Sequence, residues 1–222
     1  MYDLQQDGVE IVRSFISPES MDNIKNEVDT LQLDAPKYGI RNANKKIKSI
    51  DTLAHSTEFQ ALATEILGKA PQIVRVIFFD KTAEKNWLVP WHQDKTIALN
   101  KKADIEGWGR WSVKDDIDHV QPSIDVLEQM VTFRVHLDDA NENNGCLKVI
   151  RGSHILGLLS SETIRELTQN KTIDNCVVQA GDMVIMRPHI LHASSKSTHP
   201  KHRRIVHIEY SSYLLPEGLE WA

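Results

Sequence analysis

The sequence predicts a mainly β protein, an antiparallel barrel or double-sheet jelly roll with helices packed on its outside. Short apolar runs, rich in β-branched and aromatic residues, recur from about residue 73 onward. Turn sequences such as 143–145 (Asn-Asn-Gly) and 180–182 (Ala-Gly-Asp) separate these runs. Two segments with helical spacing of apolar residues precede them. A barrel or jelly roll of this kind can hold a ligand and a metal ion at its mouth.

The N-terminal part of the chain predicts one short strand and two helices. The strand covers Val9–Val12. Ser17 is typical of a helix N-cap and Pro18 of the first helical position, and apolar residues follow at helical spacing. The second helix is predicted over 58–67, where Gly68 provides a C-terminal cap.

The apolar runs that follow predict the strands of the sheets. In one of them, alternation places Arg134 on the face opposite to Phe133 and Val135. That position directs Arg134 either into the barrel interior, where it would contact cosubstrate or substrate, or into a surface salt bridge. The predicted strands are residues 73–79, 130–137, 146–150, 176–179, 183–186 and 204–210.

One polar segment, about residues 98–129, fits neither pattern. Loops of this length in compact domains are usually functional or disordered, and the presence of Trp108 and Trp111 favours an ordered lid. Both tryptophans are candidates for substrate binding, or for anchoring the lid to the body. The segment is predicted to be a lid-like insertion in a single domain that covers residues 1–222.

Composition narrows the function classes. The 222 residues carry a formal net charge of −5, which argues against a general nucleic-acid binder because phosphate neutralisation needs surplus Lys and Arg. No stretch approaches the ~20 apolar residues of a membrane span, and the N-terminus lacks a signal-peptide pattern. Cys146 and Cys176 lie in apolar runs and indicate buried thiols in a reducing compartment. We therefore expect a cytoplasmic protein with a small-molecule substrate and neither nucleic acid nor membrane as partner.

The first candidate metal ligands are His92 and Asp94. Residues two apart in a strand face the same side, so both can bind one metal ion while Gln93 faces away. A His-x-Asp pair alone is weak evidence in a chain with ten histidines. A third ligand is needed to make the pattern specific.

His189 and His192 are the candidates for that third ligand. They lie three residues apart, which puts them on opposite faces of an extended backbone, so only one can bind the metal. Arg203 follows His192 after a polar turn, and a hairpin here would bring its guanidinium beside the imidazole. A guanidinium in that place is suited to clamp a carboxylate.

Two histidines and one carboxylate form the facial triad of Fe(II) oxygenases, which leaves three coordination positions open. A 2-oxo acid can occupy two of them, and dioxygen the third. The distal carboxylate of the 2-oxo acid then needs a charged partner, for which Arg203 is suited, with Ser194 adding a hydroxyl. The pattern thus predicts Fe(II), 2-oxoglutarate and O₂ as cofactor and cosubstrates.

Four linked blocks of sequence resemble the phytanoyl-CoA dioxygenase family. The blocks occur in the family's order and with its spacing, over roughly residues 78 to 210. They are residues 91–94 (Trp-His-Gln-Asp), 134–140 with 144–154, 191–194 (Leu-His-Ala-Ser), and 203–204 (Arg-Arg).

The resemblance implies a double-stranded β-helix, the cupin-like form of the jelly roll. It implies Fe(II) on the positions that match His92, Asp94 and His192, and 2-oxoglutarate on those that match Arg203 and Ser194. The implied reaction hydroxylates an unactivated C–H bond and releases succinate and CO₂. Related halogenases replace the acidic ligand with a small residue, so Asp94 favours hydroxylation over halogenation.

Four further side chains are pocket candidates, each weighed against the alternative of a solvated or structural role. Arg134 and Asn86 are candidates for the cosubstrate site, and Arg41 and Lys81 for the substrate site.

Two other function classes remain open to the sequence. A cupin-like metal-dependent hydrolase or isomerase that binds Zn or Mn would keep the three ligands but would not need Arg203 and Ser194 in register. A non-catalytic binding module on the same fold is the second alternative. The apolar C-terminal residues 214–221 are compatible with docking on the body of the protein or on a second copy in a homodimer.

Overall fold

The computed structural model describes residues 2–31, 39–199 and 201–222. Its strands are β1 (Val9–Val12), β2 (Ile40–Arg41), β3 (Gln72–Lys81), β4 (Val89–His92), β5 (Ile97–Leu99), β6 (Gly109–Lys114), β7 (Ile117–Gln121), β8 (Met130–His136), β9 (Leu147–Val149), β10 (Asp174–Cys176), β11 (Met183–Met186), β12 (His192–Ser194) and β13 (Arg203–Ser211). Its α-helices are α1 (Leu4–Asp7), α2 (Pro18–Thr30), α3 (Ala43–Lys46), α4 (Lys48–Ala54), α5 (Thr57–Leu67), α6 (Ile124–Glu128) and α7 (Ser161–Asn170).

Two antiparallel sheets pack against each other and form the body. One has six strands in the order β1-β11-β8-β13-β3-β2, and the other has four in the order β10-β9-β12-β4. Apolar side chains from both sheets, such as Val184 and Met186 on β11 and Leu147 and Val149 on β9, fill part of the space between them. The predicted mainly β fold of jelly-roll type is confirmed.

The six-stranded sheet has one apolar face and one largely polar face because side chains alternate along each strand. Phe133 and Val135 of β8 pack with the helices on the outside, where the ring of Phe59 from α5 lies 5.8 Å from that of Phe133. Burying one such side chain stabilises the fold by roughly 1.5–3 kcal/mol. Arg134 and His136 point to the opposite face, toward the four-stranded sheet. One part of the apolar core therefore lies on the helix side of this sheet, and the polar part of its inner face is left for chemistry.

The start of α2 and the end of α5 are those that the sequence indicates. The hydroxyl of Ser17 accepts a hydrogen bond from the backbone N–H of Ser20 at 3.2 Å and caps α2. Gly68 ends α5 in the left-handed conformation at φ 72°. The interpretation of Pro18 as the first helical residue is also confirmed.

Two local predictions are wrong, and one helix was not predicted. The strand predicted over 176–179 is wrong, because β10 ends at Cys176 and is aligned by its pairing with β9 rather than by its own composition. Helix α7, capped by Ser160, lies in a segment with no assigned prediction. The hairpin predicted between His192 and Arg203 is also wrong, since β12 belongs to the four-stranded sheet and β13 to the six-stranded one. The chain crosses from one sheet to the other between them.

The segment predicted to be a lid contains most of a third sheet, with the strand order β5-β7-β6, and helix α6. Asp115 and Asp116 turn the β6–β7 hairpin with φ values of 50° and 61°, as a two-residue type I′ turn requires. Trp108 and Trp111 pack into the apolar cluster of this sheet, together with Trp221 from the C-terminal segment. That segment thus docks on the body of its own chain.

Two further findings concern sequence expectations. In the part of the chain that the structure describes, no helix has the length and apolarity to cross a bilayer. Cys146 and Cys176 are both buried, and neither forms a disulfide.

Candidate metal and cosubstrate site

The side chains of His92, Asp94 and His192 converge between the two sheets. His92 ends β4 and His192 begins β12, and the antiparallel pairing sets these two residues opposite each other. Each imidazole Nε2 lies 3.6 Å from a different oxygen of Asp94. One potential ligand atom from each residue fits in a group whose members are all within 4.8 Å of one another. The fold thus brings together two nitrogens and one carboxylate at a distance suited to a single metal ion.

Backbone contacts fix which nitrogen of each imidazole faces the site. Nδ1 of His92 is 2.8 Å from the carbonyl oxygen of Pro90, and Nδ1 of His192 is 2.8 Å from that of Ile190. A carbonyl oxygen can only accept, so Nδ1 carries the proton and Nε2 keeps a free lone pair. Metal-binding histidines commonly use this arrangement, because the second hydrogen bond orients the ring.

Gln93 faces away from His92 and Asp94 on either side of it and holds the surrounding loops. Its amide nitrogen donates to the carbonyl oxygens of Gly157 at 2.8 Å and His189 at 2.6 Å. Its amide oxygen accepts from the backbone N–H of Leu159 at 2.8 Å. The buried amide therefore ties the loop that carries Asp94 to two other segments.

His189 lies apart from the three converging side chains. It is buried next to His154, with ring centroids 6.0 Å apart. Burial, followed by the charges of His154 and Arg187, lowers the pKa of His189 to about 4. Among the described residues His189 joins no group of potential ligands. Of the two histidines that the spacing left open, only His192 meets Asp94.

The charges in the site suit a cation. Burial raises the pKa of Asp94, but His192 and His92 outweigh it and hold that pKa well below its usual range, so the carboxylate is ionised. Burial, followed by the charge of His92, lowers the pKa of His192 to about 3, so this imidazole is neutral. The pKa of His92 is raised, because its contact with Asp94 outweighs burial. A metal ion that binds Nε2 of His92 would displace the additional proton that this raised pKa favours.

A cavity of 320 Å³ opens beside the three side chains. The six-stranded sheet, the four-stranded sheet and the β6–β7 hairpin all contribute to its lining. Among the described residues that line it, the cationic side chains are those of Arg41, Arg75, Lys114, Arg134 and Arg203, and the carboxylate is that of Asp94.

One end of the cavity is a polar pocket around Arg203 and Ser194. The buried guanidinium of Arg203 donates to the carbonyl oxygen of Gly145, and its Nη1 lies 3.5 Å from the Ser194 hydroxyl. Lys81, opposite Arg203 in the β3–β13 register, donates to the Ser194 hydroxyl at 2.9 Å and the Ser195 carbonyl at 2.8 Å. The predicted neighbourhood of Arg203 and Ser194 exists, but packing between the sheets produces it rather than a hairpin.

Gly145 shapes this pocket through its backbone. Its φ of 76° is in the left-handed region, and a Cβ here would collide with the carbonyl oxygen of Ser195. Its own carbonyl oxygen accepts from both Arg203 and Ser194. A side chain at this position would force the backbone of Gly145 or Ser195 to move and would disturb the pocket.

A chain of buried polar contacts continues from Arg134 along the inner face. Arg134 Nη1 is 2.9 Å from Nδ1 of His207, and Nε2 of His207 is 3.0 Å from Glu209. Glu209 also accepts from Arg75 at 2.5 Å. Arg134 can only donate, so His207 Nε2 carries the proton that reaches Glu209. Both ring nitrogens of His207 therefore already have hydrogen-bond partners, although the residue also lies near Asp94.

Arg75, His207 and Glu209 are not among the residues that the sequence singled out. A signal was present, because Arg203, His207 and Glu209 fall on the same face of β13 by alternation. Their partner Arg75 is on β3, and only the β3–β13 pairing shows that they meet.

The remaining sequence-predicted residues divide between the cavity and other places. Arg41 lines the cavity, and its guanidinium lies 3.3 Å from Asp115. Asn86 does not line it, since both atoms of its amide bond the backbone of Ser197 at 2.7 and 2.8 Å. Trp108 and Trp111 pack in the apolar cluster of the third sheet, where the ring of Trp108 lies 6.4 Å from that of Tyr213.

Buried histidines predict acid lability. Burial, followed by the charges of Arg75, Lys114 and Arg41, lowers the pKa of His119 from 6.5 to about 4. The unfolded chain then binds this proton more readily, so its contribution to stability is complete above pH 6.5 and is lost as the pH falls toward 4. We expect the free energy of unfolding of the metal-free protein to decrease across this window.

His119→Leu should make the decrease shallower, as measured by urea unfolding at several pH values. His55→Gln, at an exposed position on the helix side, is the control and should leave the slope as in the wild type. An equal slope in His119→Leu and wild type would contradict the assignment.

The family model described as phytanoyl-CoA dioxygenase (PhyH) matches residues 4–205. A search of curated proteins found no significant match to the chain.

Several solved structures share the fold. AviO1 from Streptomyces viridochromogenes Tue57 is 20% identical with a TM-score of 0.68, and the match covers 96% of this chain and 93% of AviO1. EctD from S. alaskensis, solved with 2-oxoglutarate and 5-hydroxyectoine, is 18% identical with a TM-score of 0.71, covering 94% of this chain and 73% of EctD. The epimerase SnoN, in complex with Fe³⁺, alpha ketoglutarate and nogalamycin RO, is 14% identical with a TM-score of 0.73, covering 94% of this chain and 80% of SnoN.

The family that the four sequence blocks indicated is thus confirmed over most of the chain. Its chemistry depends on Fe(II), 2-oxoglutarate and O₂, the cofactor and cosubstrates that the sequence predicts. The chain belongs to the phytanoyl-CoA dioxygenase family of iron- and 2-oxoglutarate-dependent oxygenases.

Proposed function

We propose that this protein is a dioxygenase that hydroxylates an unactivated C–H bond of a small molecule and converts 2-oxoglutarate to succinate and CO₂. The observation that carries the proposal is the placement of two kinds of group in one cavity. His92, Asp94 and His192 offer a metal its ligands, and Arg203 with Ser194 offers a carboxylate its partners. A metal-dependent hydrolase has no need for the second group.

The donor set fits Fe(II). Two imidazoles and one carboxylate, with the cavity open beside them, form the facial arrangement of non-haem iron oxygenases. When bound, the iron supplies the activation of dioxygen with 2-oxoglutarate and the oxidation of the C–H bond. The protein residues around it bind, orient and shield the reactants.

Arg203 is suited to bind the distal carboxylate of 2-oxoglutarate. Burial, followed by the charge of Arg134, lowers the pKa of Arg203 to about 10, which leaves it charged at neutral pH but poorly solvated. An anion in this pocket would restore the interactions that burial removes, and its hydrogen bonds to a guanidinium are stronger than neutral ones. The Ser194 hydroxyl accepts from Lys81 and donates to the carbonyl oxygen of Gly145, and it would turn its proton toward the carboxylate when the cosubstrate binds.

Lys81 has its own electrostatic relation to this pocket. Burial, followed by the charges of Arg203 and Arg134, lowers its pKa to about 7. A bound carboxylate would stabilise its protonated form. We therefore assign Lys81 to the cosubstrate end of the cavity, whereas the sequence suggested the substrate site.

The size of the cavity argues for a small substrate. A volume of 320 Å³ lies at the lower end of the range for small-molecule sites, and an acyl-CoA thioester is far larger. EctD and SnoN, which share the fold, were solved with 2-oxoglutarate or alpha ketoglutarate, and SnoN is an epimerase. The reaction outcome is therefore not set by the fold, and Asp94 is the residue that favours hydroxylation over halogenation.

The first test is spectroscopic. Protein loaded with Fe(II) and 2-oxoglutarate under nitrogen should show the weak visible charge-transfer band of a 2-oxo acid bound to iron through both its carboxylate and keto oxygens. Absence of the band in protein shown by metal analysis to contain iron would contradict the proposal. The same measurement on Arg203→Met tests whether the cosubstrate uses the assigned pocket.

The second test measures products. In air, each turnover should release one succinate and add one oxygen atom from labelled dioxygen to the substrate, as read by mass spectrometry. Succinate must be counted together with product, because uncoupled decarboxylation also releases succinate. Turnover with Zn or Mn in place of iron, without use of 2-oxoglutarate, would instead support the hydrolase or isomerase.

A further inference from the structure

We propose that the substrate is a small carboxylate whose acidic group is bound by Arg41 and Lys114, at the end of the cavity away from Arg203. This inference rests on the proposed function, since it names the substrate class of the same site. It is carried by the position of two cationic side chains and by the charges around them.

The position of Arg41 follows from strand register. Arg41 on β2 pairs with Ile77 on β3, whereas Arg203 pairs with Lys81 on the same strand. Ile77 and Lys81 are four residues apart, which is about 13 Å along a strand. The cation that lines the cavity from β2 is thus well separated from the proposed cosubstrate pocket.

The position of Lys114 follows from the β6–β7 hairpin. Ser112 pairs with His119 and Lys114 with Ile117, so Lys114 and His119 lie on the same face of this ribbon. His119 is buried on that face, and Val113 on the opposite face is 58% exposed. Lys114 is partly exposed near the hairpin tip, but it lies on the cavity side of the ribbon and lines the cavity together with Arg41 and Asp94.

The hairpin and β2 are joined at this point. Asp115, which follows Lys114 in the hairpin turn, accepts from the guanidinium of Arg41 at 3.3 Å. The contact holds the two cationic side chains at one side of the cavity. A carboxylate bound there would be in contact with the lid hairpin and with the edge of the main sheet at once.

The other cationic residues of the cavity already have partners. Arg75 is paired with buried Glu209, and Arg134 is bonded to His207. Arg203 is assigned to the cosubstrate. Lys114, in contrast, has no carboxylate within ion-pair distance among the residues that the structure describes.

Among the described residues, Arg41 is paired with one carboxylate, which lies at the protein surface. The side chain of its partner Asp115 is 47% exposed, and an exposed ion pair contributes little to stability. Arg41 therefore remains able to bind a second anion.

The effect of this positive charge is visible on its neighbours. Burial, followed by the charges of Arg75 and Arg41, lowers the pKa of Lys114. Burial, followed by the charges of Arg75, Lys114 and Arg41, likewise lowers the pKa of His119. Cations that disfavour each other's charge in a half-enclosed space are stabilised by an anion between them. The cosubstrate cannot serve them, because its own carboxylates are taken up at the metal and at Arg203.

The experiment uses three fluorinated probes of increasing size, each with its primary amide: fluoroacetate, 4-fluorobutyrate and 4-fluorobenzoate. Binding is followed by fluorine NMR on protein loaded with Fe(II) and 2-oxoglutarate under nitrogen. At least one acid should bind roughly tenfold more tightly than its amide, since the amide lacks the charge that strengthens the hydrogen bonds to Arg41 and Lys114. Lys114→Gln and Arg41→Gln should each remove most of that preference.

Lys102→Gln is the matched control. Lys102 precedes the same hairpin, its side chain is 57% exposed, and its ammonium lies 3.8 Å from Asp118, so the substitution removes the same charge outside the cavity. The control should keep the preference of the wild type. The inference is overturned if acids and amides bind equally, if no probe binds, or if the preference survives both Lys114→Gln and Arg41→Gln.

The charge-transfer band, recorded on the same samples, separates the two proposals. A normal band without preference for the acids would overturn the carboxylate substrate and leave the oxygenase assignment in place. If the band is absent, the oxygenase assignment fails. The titration is then repeated on metal-free protein, where loss of acid binding in Lys114→Gln but not in Lys102→Gln still supports the anion site.

Discussion

Replacement of His192 by alanine is expected to abolish iron binding and turnover. His192 supplies one of three converging potential ligand atoms, and its imidazole is neutral because of burial. Two ligands from one short segment, His92 and Asp94, would remain, and they leave too few protein donors to hold Fe(II) against water. Metal analysis after anaerobic loading measures the loss directly.

His189→Ala is the matched control for this prediction. It removes the same side chain three residues earlier in the chain, from a buried position beside His154. We expect this variant to bind one iron per chain, even if its thermal stability is reduced by the lost packing. Iron binding that is lost in His189→Ala and kept in His192→Ala would contradict the ligand assignment.

Replacement of Arg203 by methionine is expected to weaken the binding of 2-oxoglutarate roughly 10- to 100-fold, the effect of losing charged hydrogen bonds to a carboxylate. Methionine keeps much of the apolar length of the side chain, which limits the damage to packing. Iron binding should be retained, because Arg203 is not a ligand. The apparent KM for 2-oxoglutarate, measured through succinate release, is the readout.

Arg204→Met provides the control for the charge and for the position. Arg204 lies next to Arg203 on β13 but faces the other side, where its guanidinium bonds both oxygens of Asp138 at 2.9 Å. Loss of this partly buried pair should lower the melting temperature without changing the KM for 2-oxoglutarate. An equal rise in KM for both variants would show that Arg203 acts through general stability or charge alone.

Local signals made much of the fold predictable. Ser17 and Pro18 predict the start of α2, and Gly68 predicts the end of α5, because caps depend on a few neighbouring residues. Long strands such as β8 are visible in the apolar pattern. Strands of two or three residues, such as β2 and β10, were missed or misplaced because their pairing partners define them.

Two of the candidate metal ligands could be predicted from the sequence for a similar reason. Alternation in an extended segment is enough to set His92 and Asp94 on one side, whatever the rest of the fold. The choice between His189 and His192 was not local, since both are buried and both follow β11. The structure separates them because only β12 lies beside β4.

By itself, the sequence determined the family, the fold class and the candidate residues for iron and 2-oxoglutarate, since these follow from short motifs and from alternation along single strands. Only the tertiary structure decided how those residues meet. It showed that Arg203 on the six-stranded sheet reaches Ser194 on the four-stranded sheet, and that Lys81 also donates to Ser194. It also gathered Arg41 and Lys114 at one side of the cavity. Contacts of this kind join strands far apart in the chain, and their register is set by packing of the whole core rather than by any local pattern.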